Sequence, residues 1–416
     1  MLERSKCMNV PEIRFKEFCD YYSDVLLEKC LSVSNKKNNK LEYKKEYALS
    51  VSDEFGVVNQ IEHLGRSYTG NNISTYKILN KGQIVYTKSP LKLKPFGIIK
   101  VNNNKPGIVS VLYAIYDVKE GFEPNYISVY FEPNFRLNRY LLPLINKGAK
   151  NTINISDETA LSGEVHIPLS YAEQQKIASY FQSLDSLIQT TSKELTSLKQ
   201  IKAASLQSMF PQEGETVPEV RFKGFEGEWN FSILKDFSKK ITEKNRNRLY
   251  KETFTNSAEL GVVSQRTYFD HDISNNENIN GYYVIHPDDF VYNPRISVTA
   301  PVGPINRNLL NKTGIMSPLY CIFSVNNINK TYLEYFFKTN LWHKYIYING
   351  NAGARFDRLS ITDENFFNMP ILIPSTEEQQ KIASYFCNLD KQISLQTQRL
   401  EKLKQIKAAC LDKMFV

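Results

Sequence analysis

Few groupings in the sequence could perform a reaction. Asp270-His271-Asp272 offers three metal-binding side chains in a row, but alternation along a polar extended segment suits a surface loop better than a coordination sphere. Asn293-Pro294-Arg295 shares its first two residues with the Asn-Pro-Pro-aromatic motif of amino-methyltransferases. Arg295 replaces the second proline and no glycine-rich cofactor loop accompanies it, so a turn is expected. Pro287-Asp288-Asp289 lacks the acidic-x-Lys that a nuclease needs downstream. His63 and His286 have no visible Ser or Cys partner. The sequence contains neither a Gly-x-x-x-x-Gly-Lys-Ser/Thr phosphate loop nor a Gly-x-Gly-x-x-Gly after a strand. The chain therefore reads as a noncatalytic recognition module: no catalytic residue, no metal ligand and no bound cofactor are expected.

The side chains suited to recognition are more numerous. The net charge is +8 with a pI near 8.9, which fits a polyanionic partner. Basic residues gather with asparagines in Asn35–Lys45, Lys147–Asn151, Lys239–Arg248 and Arg355–Arg358. Arginine pairs with guanine, and glutamine or asparagine with adenine, through two hydrogen bonds in the major groove, whereas lysines more often hold phosphates. Twelve residues are candidates for DNA contact on these grounds: Gln60, Arg66, Lys88, Lys92, Lys94 and Lys150 in the first half, and Gln265, Arg266, Arg295, Ser297, Arg355 and Arg358 in the second. For each, a solvated loop is the alternative.

The elements that must position these residues come in duplicate. Glu173–Phe210 and Glu378–Phe415 are identical at about 23 of roughly 38 positions, far beyond chance for two helices. Val10-Pro-Glu-Ile-Arg-Phe15 is repeated as Val217-Pro-Glu-Val-Arg-Phe222. Glu54-Phe-Gly-Val-Val-Asn-Gln60 returns as Glu259-Leu-Gly-Val-Val-Ser-Gln265, and Gly107-Ile-Val-Ser110 as Gly314-Ile-Met-Ser317. The unit is a globular domain followed by a helix, used twice, with strong divergence between the anchors.

Ser170-x-x-Glu173 and Ser375-x-x-Glu378 read as reciprocal capping boxes, with Glu reaching back to the cap amide. Apolar residues then alternate by four and three: Ile177, Phe181, Leu184, Ile188, Leu195 and Leu198, and again Ile382, Phe386, Leu389, Ile393, Leu400 and Leu403. That is the coiled-coil period. Thr191 and Gln396 interrupt the two seams at equivalent places. Pairing within the chain requires it to fold back, giving an antiparallel coiled coil with pseudo-twofold symmetry and a domain at each end; pairing between chains is the alternative. Lysine at Leu184 and Leu389 is expected to separate the helices before it affects the domains.

The division expected is a first domain over residues 1–169, a helix over 170–210, a second domain over 211–374 that begins with a linker at 211–216, and a second helix over 375–416. Within the domains Gly82–Tyr86, Gly107–Tyr116, Tyr126–Phe131, Phe290–Tyr292 and Leu319–Val325 read as strands. Ser232–Lys240 and Thr331–Trp342 read as helices. The fold class is mixed α/β (α+β), with a mainly antiparallel sheet that could curl into a barrel. Six cysteines without a Cys-x-x-Cys pair, no membrane-length apolar run and a polar N-terminus suggest reduced thiols and a cytoplasmic location.

Two divergent domains alternating with near-identical helices, Glu173-Gln-Gln-Lys-Ile-Ala178 and Glu378-Gln-Gln-Lys-Ile-Ala383, Leu184-Asp185 and Leu389-Asp390, and the opening Val217-Pro-Glu-Val-Arg-Phe-Lys-Gly-Phe225 with Trp229, resemble the DNA-specificity subunit of type I restriction-modification systems. The resemblance spans essentially the whole chain. It implies two target recognition domains, each reading half of a split asymmetric duplex site, and helices that rule the gap and dock two methyltransferase subunits. Restriction motor-nuclease subunits would join the same complex in defence against foreign DNA. S-adenosylmethionine, ATP and Mg would belong to the partners. The first domain departs from the pattern by lacking counterparts of Gly224 and Trp229. A coiled-coil scaffold whose domains bind protein is the competing reading.

Overall fold

The computed structural model describes residues 10–147, 153–269, 279–351 and 357–416. It divides into two compact units, one of residues 1–192 with 398–416 and one of residues 193–397.

In the first unit a four-stranded antiparallel sheet is built from β1 (Leu31–Val33), β2 (Ile84–Tyr86), β3 (Ile99–Val101) and β4 (Ala114–Val118), in the order β1-β4-β2-β3. Three antiparallel pairs surround it: Ser23–Leu26 with Glu164–Ile167, Leu49–Ser52 with Gly56–Asn59, and Lys77–Leu79 with Gly107–Val109. The unit also contains the start of the long helix α1 (Tyr171–Ser208).

The second unit repeats every one of these pairings. Its central sheet is β5 (Ser238–Lys240), β6 (Phe290–Tyr292), β7 (Ile305–Arg307) and β8 (Cys321–Val325), in the order β5-β8-β6-β7. Asn230–Ile233 pairs with Pro370–Ile373, Phe254–Ser257 with Gly261–Ser264, and Tyr283–Ile285 with Gly314–Met316. Even single parallel bridges correspond, Ala48 to Ile108 and Thr253 to Ile315. The duplication seen in a few sequence anchors thus extends through the divergent interiors. The second long helix is α2 (Thr376–Lys413).

Each unit takes the start of one long helix and the end of the other. In the first, Tyr180 Oη lies 3.5 Å from Cys410 Sγ, and Lys407 Nζ 2.6 Å from an Asp185 oxygen. In the second, Lys202 pairs with Asp390, Ser205 Oγ meets Tyr385 Oη at 2.9 Å, and Gln396 donates to Glu194 at 3.2 Å. In both units rising numbers on one helix meet falling numbers on the other, so the packing is antiparallel and within one chain.

The apolar stripe does what its spacing predicts. Ile177, Phe181, Leu184, Leu195, Ile382, Phe386, Leu389 and Leu400 are buried, and Ile188, Leu198, Ile393 and Leu403 half-buried. Thr191 is buried in its seam and Gln396 half-buried. The helices nevertheless contribute more than a seam. Leu184 belongs to the core of the first unit and Leu389 to that of the second. Lysine at either would therefore strike a domain core as well as the helix pairing, contrary to the sequence expectation.

Several local readings are corrected. The segment from Tyr126 is a helix, Pro124–Tyr130, because Pro124 stands at its first turn and the Glu123 side chain accepts from Asn125 N. All five residues from Tyr126 to Tyr130 are buried, and a helix buried on every side carries no amphipathic period to read. Gly107–Tyr116 is two strands broken by a turn at Ser110–Tyr113. Ser232–Lys240 is strand, one 3-10 turn and strand, with Asp236 accepting from Ile233 N. Thr331–Trp342 is helical only to Phe336. Among the described residues the strands form separate two- and four-stranded sheets rather than one closed barrel, because the end strands of each four-stranded sheet pair on one side only. Cys19, Cys30, Cys321, Cys387 and Cys410 are free thiols, and burial pushes Cys30 and Cys321 up to about 12. No helix among the described residues is long and apolar enough to cross a membrane.

Candidate nucleic-acid interface

The frame at the start of each long helix decides which polar groups are left for a ligand. Each long helix starts just after a strand that ends before Pro168 or Pro374. Ser170 Oγ accepts from Glu173 N at 3.4 Å, and Ser375 Oγ from Glu378 N at 3.2 Å, which is half of the expected capping box. The other half is absent. The Glu173 carboxylate instead takes two hydrogen bonds from Arg14, at 2.7 and 2.8 Å, and Glu378 takes two from Arg221, both 2.7 Å. Both carboxylates are 1% exposed. A forked guanidinium satisfies a buried carboxylate better than one backbone amide can.

The next residue closes the frame further. Gln174 donates to Pro168 O at 2.8 Å and accepts from Glu123 N at 2.9 Å; Gln379 donates to Pro374 O and accepts from Asn329 N, both at 3.0 Å. The repeated opening segment and the repeated Glu-Gln-Gln are therefore two halves of one joint. Their shared offset was a signal in the sequence, but each motif alone has a complete local explanation.

Aromatic plugs complete each core. Phe415, just past the end of α2, lies 5.5 Å from Tyr126 and 5.9 Å from Phe181. Phe210, just past the end of α1, lies 5.7 Å from Tyr332 and 6.2 Å from Phe386. The missing counterpart of Trp229 turns out to be Tyr22. Each is buried and stands immediately before the first strand of its unit.

The basic clusters divide into structural and exposed members. Asn35–Lys45 folds around buried Asn38, which donates to the carbonyls of Tyr43 and Ile73 and accepts from Tyr43 N. Lys239–Arg248 folds in the same way around Asn245, bonded to Tyr250 and Ile279. Lys88 pairs with Asp157 at 2.5 Å, and Lys94 donates to Glu132 O at 2.7 Å while lying 3.2 Å from Asp53. Both hold their loop to the domain. Lys92 projects from it, exposed. Gln60 also spans local backbone, donating to Leu49 O and accepting from Tyr68 N. Arg66 is exposed with its guanidinium 4.7 Å from the Tyr68 ring centre. Gln265 is buried and its Oε1 has no protein partner, while Arg266 beside it is exposed.

In the second unit two candidates are brought together. Ile296 N donates to Asp357 O at 3.1 Å and Leu359 N to Pro294 O at 3.0 Å, so Arg295 and Arg358 sit opposite each other in one bridge. Asp357 lies 3.8 Å from each guanidinium, too far for a good hydrogen bond, and Arg295 stays exposed. The expected turn is present, with Asn293 Oδ1 accepting from Arg295 N. Ser297 Oγ accepts from Ala300 N and meets Thr299 Oγ1 at 3.3 Å. Pro294 and Arg358 also line a cavity of about 490 Å³ together with Lys240, Tyr283, Tyr320 and Asp363. Lys150, Arg355 and Asp270-His271-Asp272 lie outside the described residues. Among the described residues no group of three or more His, Cys, Asp or Glu gathers as a metal site would require.

The family model of the type I restriction modification DNA specificity domain matches residues 226–405. Among solved structures, the S subunit of the type I restriction-modification system of M. genitalium superposes with a TM-score of 0.56 at 11% identity, over 98% of this chain and 99% of that one. The HsdS subunit of Thermoanaerobacter tengcongensis gives 0.45 at 15% identity, over 95% and 96%. A chain from work on complex assembly and conformational transition of the type I R-M system gives 0.47 at 15%, over 95% and 97%. Residues 226–405 are thus similar to the type I restriction modification DNA specificity domain, and the chain has the fold of the M. genitalium S subunit.

Proposed function

We propose that the chain reads a bipartite, asymmetric duplex DNA site and brings methyltransferase subunits, and with them restriction motor-nuclease subunits, to that site. One observation carries this reading. The two units share the four-stranded sheet order and the three strand pairs beside it, yet the loops leaving their central sheets differ in sequence, Lys88–Phe96 against Pro294–Val302. A common frame with different reading loops is what two unlike half-sites require. Lys92, Arg66, Arg266, Arg295 and Arg358 supply the positive and hydrogen-bonding groups, and the paired helices set the gap and carry the partners.

The chain acts without chemistry of its own, in the cytoplasm. S-adenosylmethionine, ATP and Mg belong to the partner subunits. The test is binding of a randomised duplex pool by the chain together with a methyltransferase subunit of its host. Enrichment of two short motifs at fixed spacing is expected. An unenriched pool would leave the protein-binding scaffold as the better reading, and methyl transfer by the isolated chain would overturn the noncatalytic assignment.

A further inference from the structure

The loops after β2 and β6 share a construction that their sequences hide. In the first unit Leu91 N donates to Lys94 O and Lys94 N to Leu91 O, both at 3.0 Å, leaving Lys92-Leu93 at the tip. In the second, Ser297 N donates to Ala300 O at 3.0 Å and Ala300 N to Ser297 O at 3.2 Å, leaving Val298-Thr299 at the tip. Both bases are anchored by a buried tyrosine. Tyr86 Oη donates to Phe96 O at 2.8 Å, and Tyr292 Oη to Val302 O at 2.9 Å. Both loops close through a glycine in the left-handed region, Gly97 at φ +85° and Gly303 at φ +84°. Each is therefore a braced finger rather than a slack connection.

Each finger ends in an aliphatic side chain turned to solvent. Leu93 is 76% exposed and Val298 fully exposed. A single exposed aliphatic residue is unremarkable. Two at the tips of corresponding braced turns, in otherwise unlike sequences, are harder to assign to chance. Cationic groups flank both: Lys92 beside Leu93, and Arg295 and Arg358 at the base of the finger that carries Val298. The flanking cations can hold phosphates or guanine, leaving the tip to meet an apolar spot on DNA. In the major groove that spot is the C5-methyl of thymine, the one apolar group on a base edge.

We propose that Leu93 and Val298 are specificity-determining residues, each packing on a thymine methyl in its own half-site. The proposal rests on the DNA-reading function above. Its test uses the full chain with a methyltransferase subunit and a duplex recovered from a randomised pool, with thymines replaced one at a time by uracil, which lacks only that methyl. Wild type should lose binding on the order of fourfold at one thymine per half-site, the worth of one buried methyl group. Val298→Ala should bind thymine and uracil alike in one half-site and Leu93→Ala in the other, with melting temperatures unchanged. Val298→Ile should keep the preference. A uracil-insensitive wild type, or a preference that survives both alanine variants, overturns the proposal while the DNA-reading function stands. Failure to recover any duplex removes both.

Discussion

The guanidinium of Arg14 grips the carboxylate of Glu173 across 159 residues of sequence, and both groups are almost wholly withdrawn from water. The contact joins the opening segment of the first unit to the start of its long helix. Arg221 and Glu378 do the same in the second unit. Removing one member of such a pair strands a buried charge. Arg14→Ala and Arg221→Ala should each destabilise their own unit by about 3–5 kcal/mol. Urea unfolding would measure this, and a loss below about 1 kcal/mol would mean the joint is not what holds the helix start in place.

Acid should loosen both units through carboxylates held by lysines. Burial alone would raise Glu132, but Lys100, Lys407 and Lys94 together keep it below its ordinary 4.5. Asp390 is likewise held below its ordinary 3.8 against burial, by hydrogen bonds from Lys202 and Tyr335 and by the charge of Lys202 and Lys338. A carboxylate that ionises more readily folded than unfolded stabilises fully above its ordinary value, and the stabilisation disappears as pH falls through the folded value. Melting temperature should therefore be flat near pH 6 and fall below about pH 4.5. Glu132→Gln should flatten part of that fall.

Arg295→Ala should relax the preferred base at one position of one half-site, with a cost of about 1–3 kcal/mol for the favoured base. Selection from a randomised duplex pool would show it. Equal weakening for all sequences would make Arg295 a phosphate contact.

Gly303 allows no side chain. A Cβ there would lie 2.0 Å from Asn293 O, and φ is +84°. Gly303→Ala should displace the finger that carries Val298 and degrade selection at one half-site only. Far-ultraviolet circular dichroism should stay unchanged, because β6 pairs on both sides without it.

The repeat, the helices and their antiparallel pairing were legible because identical residues and a 3.5-residue period are direct signals. The joint was not. Glu173 three residues after Ser170 is a complete local cap signature, and nothing nearby shows that the carboxylate turns to Arg14. Lys88 and Lys94 are lysines beside a strand, which the sequence alone marks only as cationic; their bonds to Asp157, Asp53 and the Glu132 carbonyl, distant in sequence, are visible only in the fold. Leu93 and Val298 are hidden in the sequence for the opposite reason. An aliphatic residue in a sequence is assumed to be interior, and only the fold shows these two outside.

Phe415 completes the core of the first unit from the far end of the chain, whereas the second unit draws on one uninterrupted stretch, residues 193–397. During synthesis the second unit can close as soon as residue 397 has left the ribosome. The first must wait, its aromatic slot open, until about twenty further residues arrive, and must then close a loop of about two hundred residues to fill it. The half made first is thus finished last, and in that interval it is the half most exposed to chaperones and proteases.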